Sequence, residues 1–298
     1  LSQAKAKYQE VISNYKSTVA YKLSKENIQK AQAEIDAINS NNQREITAEN
    51  LNIEGDQLYA RGRLSQAKAK YQEVISNYKS TVAYKLSKEN IQKAQAEIDA
   101  INSNNQGDQL FNKGRYSEAL TKYQEAYDKS QLAFEQYKEN ITKAQTEVSA
   151  QNLNIEGDKF FAQGKYGEAK AKYQEAYNKS SVAFNYYEEN INKAQVEIHA
   201  RSLNFQGDQL FNQGRYNEAI TKYQEAHDCS EVAYRLYDQN IKKAQVELDA
   251  KLLNKEGKEL LKQGKCREAQ AKFQTACNKS ITNKNKYIVN INKAQEVQ

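Results

Sequence analysis

The chain has 298 residues, of which 39% are hydrophobic and 28% charged, with a formal net charge of +6 and no Pro, Met or Trp. At ordinary usage about 15 prolines would be expected in this length, so their absence excludes collagen-like, polyproline and Pro-rich linker classes and favours helix, where an interior Pro costs about 3 kcal/mol. A mean hydropathy of -0.97 with charge of mixed sign points to an elongated protein with a shallow core rather than to disorder.

The elements follow from a repeat. Residues 1–43 recur letter for letter as residues 64–106, and Gly-Asp recurs at Gly55, Gly107, Gly157 and Gly207, with Gly-Lys at Gly257, at intervals of 52, 50, 50 and 50. Periods of this size are the signature of a solenoid or array. Opening at Leu1 in the register of Leu64, Tyr116, Tyr166, Tyr216 and Cys266, the sequence starts within a unit and reads as a piece of a longer array or as one subunit whose ends are completed by its neighbours. From Ala31 to Gly55 is 24 residues, whereas Ala94 to Gly107 is 13, so the first copy carries 11 extra residues near REITAENLNIE. Eleven residues are nearly three helical turns, so a helix absorbs them without losing its apolar phase. Two residues are also gained between Tyr71 and Ala94 relative to Tyr123 and Ala144, around ISNYKS; two residues break helical phase and mark a loop.

Later copies share one plan. In the unit opening at Gly207, Gly214 separates two periodic segments, and Tyr216, Ala219, Tyr223 and Ala226 form a stripe that one helix face would bury. Ser230 has the chemistry of an N-cap for the next helix. Each unit therefore predicts one helix of about 13 residues and one of about 30, the latter containing the Gly207-type residue. Because an interior Gly costs about 1 kcal/mol relative to Ala, its recurrence implies close approach of a neighbouring helix. Units fall near 1–50, 51–102, 103–152, 153–202, 203–252 and 253–298, a single array over 1–298 with no separate catalytic domain.

On these residues the chain resembles the tetratricopeptide repeat (TPR) family. The first Gly of that pattern falls at Gly55, Gly107, Gly157, Gly207 and Gly257, the turn Gly at Gly62, Gly114, Gly164, Gly214 and Gly264, the small residue at Ala4, Ala67, Ala119, Ala169, Ala219 and Ala269, and its aromatic at Tyr8, Tyr71, Tyr123, Tyr173, Tyr223 and Phe273. The resemblance implies an all-α, right-handed α-solenoid of helix-turn-helix repeats, here with one elongated helix per unit. The usual unit has about 34 residues, and the Pro that normally ends its second helix is replaced near Ser130, Ser180 and Ser230.

The resemblance also implies a concave groove lined by the Gly-bearing helices. Its carboxylate-gripping version uses a Lys with an Asn four residues later; this chain has Asn52 and Asp56, Asn104 and Asp108, Asn154 and Asp158, Asn204 and Asp208, then Asn254 and Lys258. An Asp would repel a carboxylate, which argues against that version. The Asn and Asp residues and Lys258 remain candidate groove residues for a polar or basic peptide or for another copy of the protein. With Tyr59, Phe111, Phe161 and Phe211 one turn away, the same ladder equally fits packing common to every unit.

Charge is concentrated at one end. Residues 251–298 hold eleven Lys or Arg against four Glu, a net +7, and would suit an acidic partner. No compact basic run or aromatic platform accompanies them, which argues against nucleic acid. No apolar run approaches the roughly 18 residues of a membrane span. Three Cys without a framework point to a reducing, cytoplasmic or cytoskeletal setting, with an extracellular fibre as the alternative; in that case Asn178 and Asn278 are the candidate glycosylation sites. Cys266, in an aromatic register, reads as a small buried residue, and Cys229 and Cys277 as a pair only under oxidation. No metal cluster, cofactor motif or catalytic constellation is present, so the expected function is structural. The chain would form or decorate a fibre or a cytoskeletal or ciliary assembly through contacts with itself or another regular polymer, the alternative being a peptide-binding adaptor.

Overall fold

The structure, a computed structural model, describes residues 1–297, and among these there are twelve α-helices and no strand. The chain divides into two compact units, Leu1–Gln145 and Thr146–Gln298. The first contains α1 (Ser2–Asn14), α2 (Val19–Ala60), α3 (Leu64–Asn77), α4 (Val82–Asn112), α5 (Tyr116–Lys129) and the start of α6 (Phe134–Ala162). The second contains the rest of α6, then α7 (Tyr166–Lys179), α8 (Phe184–Asn212), α9 (Tyr216–Cys229), α10 (Tyr234–Lys262), α11 (Cys266–Lys279) and α12 (Lys284–Glu296). Within each unit helices pack on their neighbours in sequence, the arrangement of an all-α solenoid.

Short helices of 13 or 14 residues alternate with long ones, as the periodicity requires. Helix α2 has 42 residues and α4 has 31, so the 11-residue insertion is absorbed as uninterrupted helix. The two-residue gain expected to mark a loop does not lengthen one: the connection 78–81 has four residues, as 130–133 has, and the gain appears at the start of α4, which has 31 residues against 29 in α6.

Helices α2, α4, α6, α8 and α10 are each followed by a Gly with φ between +71° and +76°, a conformation that costs an L-residue with a Cβ. At Gly114 the backbone N–H bonds Phe111 O and that of Arg115 bonds Leu110 O, both at 2.9 Å, a Schellman closure that satisfies orphan carbonyls and reverses the chain. The start of the long helix differs from expectation. Ser230 ends α9, and α10 begins four residues later at Tyr234, but the Ser230 hydroxyl still accepts from the Ala233 N–H at 2.8 Å. The cap chemistry is present one turn ahead of the α-helix proper.

The core is thin and made of small residues. Ala67, Ala119, Ala169, Ala219 and Ala269 are all fully buried, and the aromatic one turn on lies against the interior Gly of the preceding long helix. A Cβ on Gly207 would stand 2.5 Å from Cε1 and 2.6 Å from Cδ1 of Tyr223, and the same overlap recurs at the other four such glycines. Close approach outweighs helix propensity at these sites. Cys266 is half-buried rather than the buried residue expected, while Cys277 is buried and Cys229 exposed, all three as free thiols.

Gly207→Ala should lower stability by about 1–3 kcal/mol through overpacking despite its better propensity. The exposed helical Gly167 is the control, since an alanine methyl there would meet no atom within 4 Å. Urea unfolding followed by circular dichroism should show Gly167→Ala unchanged or more stable, and two equal midpoints would count against the packing account.

Candidate functional site

The Asn and Asp residues singled out in sequence form one polar relay per repeat. Asn140 Nδ2, on α6, donates to Asn104 Oδ1 at 2.8 Å; Asn104 Nδ2 donates to Asp108 Oδ2 at 3.2 Å; and Tyr123 OH donates to Asp108 Oδ1 at 2.8 Å. The relay recurs from Asn190 through Asn154 and Asp158 to Tyr173, and from Asn240 through Asn204 and Asp208 to Tyr223. It ties each long helix both to the next long helix and to its own short partner. In the first copy Ser87 Oγ takes the place of the Asn donor to Asn52, and Asn90 and Tyr71 both donate to Asp56. The asparagines are buried or half-buried, whereas Asp56, Asp108 and Asp158 keep an exposed edge. Burial first, then the hydrogen bond to Asp108, pushes the Tyr123 hydroxyl well above its ordinary range, so the phenol stays a donor.

The last copy changes two partners together. Where Asp becomes Lys258, which cannot accept a hydrogen bond, the aromatic becomes Phe273, which has none to donate. Asn290 still donates to Asn254 at 2.6 Å.

A second recurrent group escaped the sequence reading. Ten residues before each helical Gly stands a Glu: Glu45, Glu97, Glu147, Glu197 and Glu247. The last four are 0–2% exposed, yet none has a cation partner among the described ion pairs. Instead each accepts from the backbone and the hydroxyl at the start of the following long helix. Glu147 accepts from Ser180 Oγ at 2.6 Å, Ser181 N at 2.7 Å and Ser181 Oγ at 2.9 Å. Glu197 accepts from Ser230 Oγ, Glu231 N and Val232 N, and Glu97 from Ser130 Oγ, Gln131 N and Leu132 N. A buried carboxylate is costly unless hydrogen-bonded, and helix-start N–H groups with their positive dipole end are suitable donors. Glu45 reaches Val82 N at 2.8 Å from the same register, beyond the insertion, while Glu34, in the register counted from Ala31, lies exposed. The fixed interval to Gly was the legible signal.

This lock also explains the sequons. Asn178 and Asn278 are exposed in the last turns of α7 and α11, but the hydroxyls of Ser180 and Ser280 that complete the motif are bonded to Glu147 and Glu247. At Glu247 burial pushes the carboxyl up, but the hydrogen bonds from Asn283, Thr282 N, Ser280 and Ile281 N outweigh it and hold the group below its ordinary value. Its charge in turn helps push buried Tyr287, raised first by burial, up to about 12.

Part of the basic end lines one depression. Lys251, Lys255, Lys258 and Lys286, with Arg215 and Glu218 from the preceding repeat, line a cavity of about 500 Å³ with Tyr216 at its side. Arg215 is neutralised by Glu218, and Lys251 Nζ bonds Gly214 O at 2.8 Å. Lys258, a candidate groove residue, faces this cavity. Among the described residues no three His, Cys, Asp or Glu side chains could hold a metal, and no helix is long and apolar enough to cross a membrane.

The chain matches no protein-family model, and no curated protein matches it.

Two outcomes follow from these contacts. Tyr223→Phe should cost about 1 kcal/mol and Asp208→Lys about 2 kcal/mol, since the latter strands a buried hydroxyl, while the double variant, which rebuilds the Lys258–Phe273 combination, should cost about 1 kcal/mol less than their sum. Strict additivity in urea unfolding would deny the pairing. For Glu247, the folded carboxyl titrates below its unfolded value of 4.5, so its stabilisation is complete above that value and drains as pH falls through the lower, folded one. Glu247→Gln should therefore lower the urea midpoint at neutral pH and converge on the wild type once the pH has fallen through the lowered, folded value; a gap that persists in acid would contradict this.

Proposed function

We propose that this chain is a non-enzymatic scaffold, a TPR-like array that builds or decorates a fibre or a cytoskeletal or ciliary assembly through contacts repeated from unit to unit. One observation carries the reading. The first residues of the connections and long helices leave large apolar side chains in solvent at the same register: Val82 and Leu86, Leu132 and Phe134, Val182, Phe184 and Tyr186, Val232, Tyr234 and Leu236, all between 40% and 67% exposed. Their backbone is held by the buried-glutamate lock, so each repeat presents the same small patch on a rigid support. Covering one such side chain is worth about 1 kcal/mol, too little alone, but several of them engaged by one regular polymer add through avidity. The relay supports the same reading from the other side, because it commits the polar groove residues to joining repeats.

Val182→Ser with Val232→Ser should leave the helical content unchanged and weaken self-association or filament co-sedimentation several-fold. A wild-type chain that stays monomeric in light scattering at high concentration and ignores filaments would defeat the scaffold reading.

The cavity of about 500 Å³ around Lys258 favours a second reading, an adaptor that binds an acidic peptide. On that reading a poly-Glu peptide binds saturably, more weakly as salt rises, and Lys258→Asp abolishes it.

A further inference from the structure

Three lysines of the basic end stand where the preceding units carry other chemistry. Lys255 takes the register of Ile155 and Phe205, Lys258 that of Asp158 and Asp208, and Lys286 that of Tyr186 and Leu236. All three line the same cavity of about 500 Å³, together with Lys251, Arg215 and Glu218. Its walls come from the start of α9, the middle of α10 and the first turn of α12, all within the second compact unit. Nearby acids do not neutralise the lysines. Glu218 pairs with Arg215, Glu256 with Lys272 at 2.8 Å and Glu259 with Lys262 at 2.9 Å, whereas Lys255, Lys258 and Lys286 have no ion pair among the described residues. Lys251 bonds the Gly214 carbonyl and lies over the Tyr216 ring, so its charge is not cancelled either. Four like charges around one cavity repel one another, a cost that concentrated negative charge would reverse.

A buried amide points the same way. In earlier copies the Asn of the relay donates through Nδ2 to the Asp four residues on, at 3.2 Å from Asn104 and 3.3 Å from Asn204. Asn254, 6% exposed and lining the cavity, still accepts from Asn290, but the residue four on is Lys258, which offers its Nδ2 no acceptor. Tyr216, Asn217 and Glu218, the first turn of α9, form another wall; no side chain caps that helix start, so its positive end adds to the field. What is left uncommitted around the cavity is chiefly ammonium and N–H. We propose that it binds a small polyphosphorylated molecule, with two or more adjacent phosphoryl groups held by Lys251, Lys255, Lys258, Lys286 and Asn254 Nδ2. A carboxylate brings one charge and two oxygens; each phosphoryl group brings a charge of about -1.5 to -2 and three oxygens. Two such groups match the four ammonium groups, in a volume suited to a small ligand. This assignment shares the cavity, though not the ligand, with the acidic-peptide reading, and does not depend on the scaffold reading.

The probe is sodium tripolyphosphate, titrated into the full chain in a calorimeter at about 0.1 M salt, where exposed charges are still felt over about 10 Å. Saturable binding of one molecule per chain is expected, weaker as salt rises. Lys255→Phe and Lys286→Leu, which restore the side chains of the preceding unit, should each weaken it about ten-fold, the loss of one charge-assisted hydrogen bond. Lys258→Asp, which returns an acceptor to Asn254, should abolish it. Lys284→Leu makes the same charge change as Lys286→Leu on the same turn of α12 but outside the cavity, and should leave the affinity within about two-fold. All four lysines are exposed, so circular dichroism of the variants should match the wild type. Comparison with adenosine triphosphate separates a free phosphate chain from its organic ester; either ranking supports phosphate as the group that is held. No saturable binding, equal losses in Lys284→Leu and Lys286→Leu, or a poly-Glu peptide of matched charge binding as tightly as tripolyphosphate would each overturn the proposal. In the last case the acidic-peptide reading stands without it; tripolyphosphate binding with no poly-Glu binding is the converse.

Discussion

The spacing between helices is set by an aromatic ring resting on a glycine. Only a residue without a Cβ lets Tyr71, Tyr123, Tyr173, Tyr223 and Phe273 lie so close to the preceding long helix, and the fully buried Ala one turn earlier keeps that spacing along the helix pair. Everything polar is then placed by the ring. Its hydroxyl lands on the Asp beside the Gly, the Asp holds the Asn one turn back, and the Asn receives the next long helix. In the last copy, where the hydroxyl is absent, so is the Asp.

The buried glutamates answer a separate need. Without Pro, nothing stiffens the connection between a short helix and the next long one, and its N–H groups would otherwise depend on water. A carboxylate ten residues before the Gly takes those donors together with a Ser hydroxyl, joining consecutive repeats by charge-assisted hydrogen bonds in place of a covalently restricted turn. Relay and lock together leave few of the candidate groove side chains uncommitted, so the surfaces that remain distinctive are the exposed apolar side chains at the starts of the long helices and the basic cavity.

Much of this was legible in one sequence because repetition supplies its own comparison. Five copies of the helical Gly at near-constant spacing located the long helices, the turn glycines located their ends, and an 11-residue insertion of almost three turns announced a longer helix. The intimate Gly contact followed from propensity alone. The lock was harder to see. Glu is a common surface residue, and its fixed interval to Gly reads as helix periodicity until a partner is known; the partner lies 33 to 35 residues away, in a connection whose Ser looked only like a cap.

Composition, period and phase thus determined the helices, their alternation and the small-residue core, since these depend on local geometry repeated at fixed intervals. Tertiary structure alone decided what the polar residues do. Whether an Asp at the Gly faces a ligand or a tyrosine hydroxyl, and whether a Glu is solvated or buried as a cap, depends on which helix stands opposite. The same holds for α1 and α3, where one sequence has no buried residue in the first and four in the second, because burial is a property of the neighbour and not of the residues themselves.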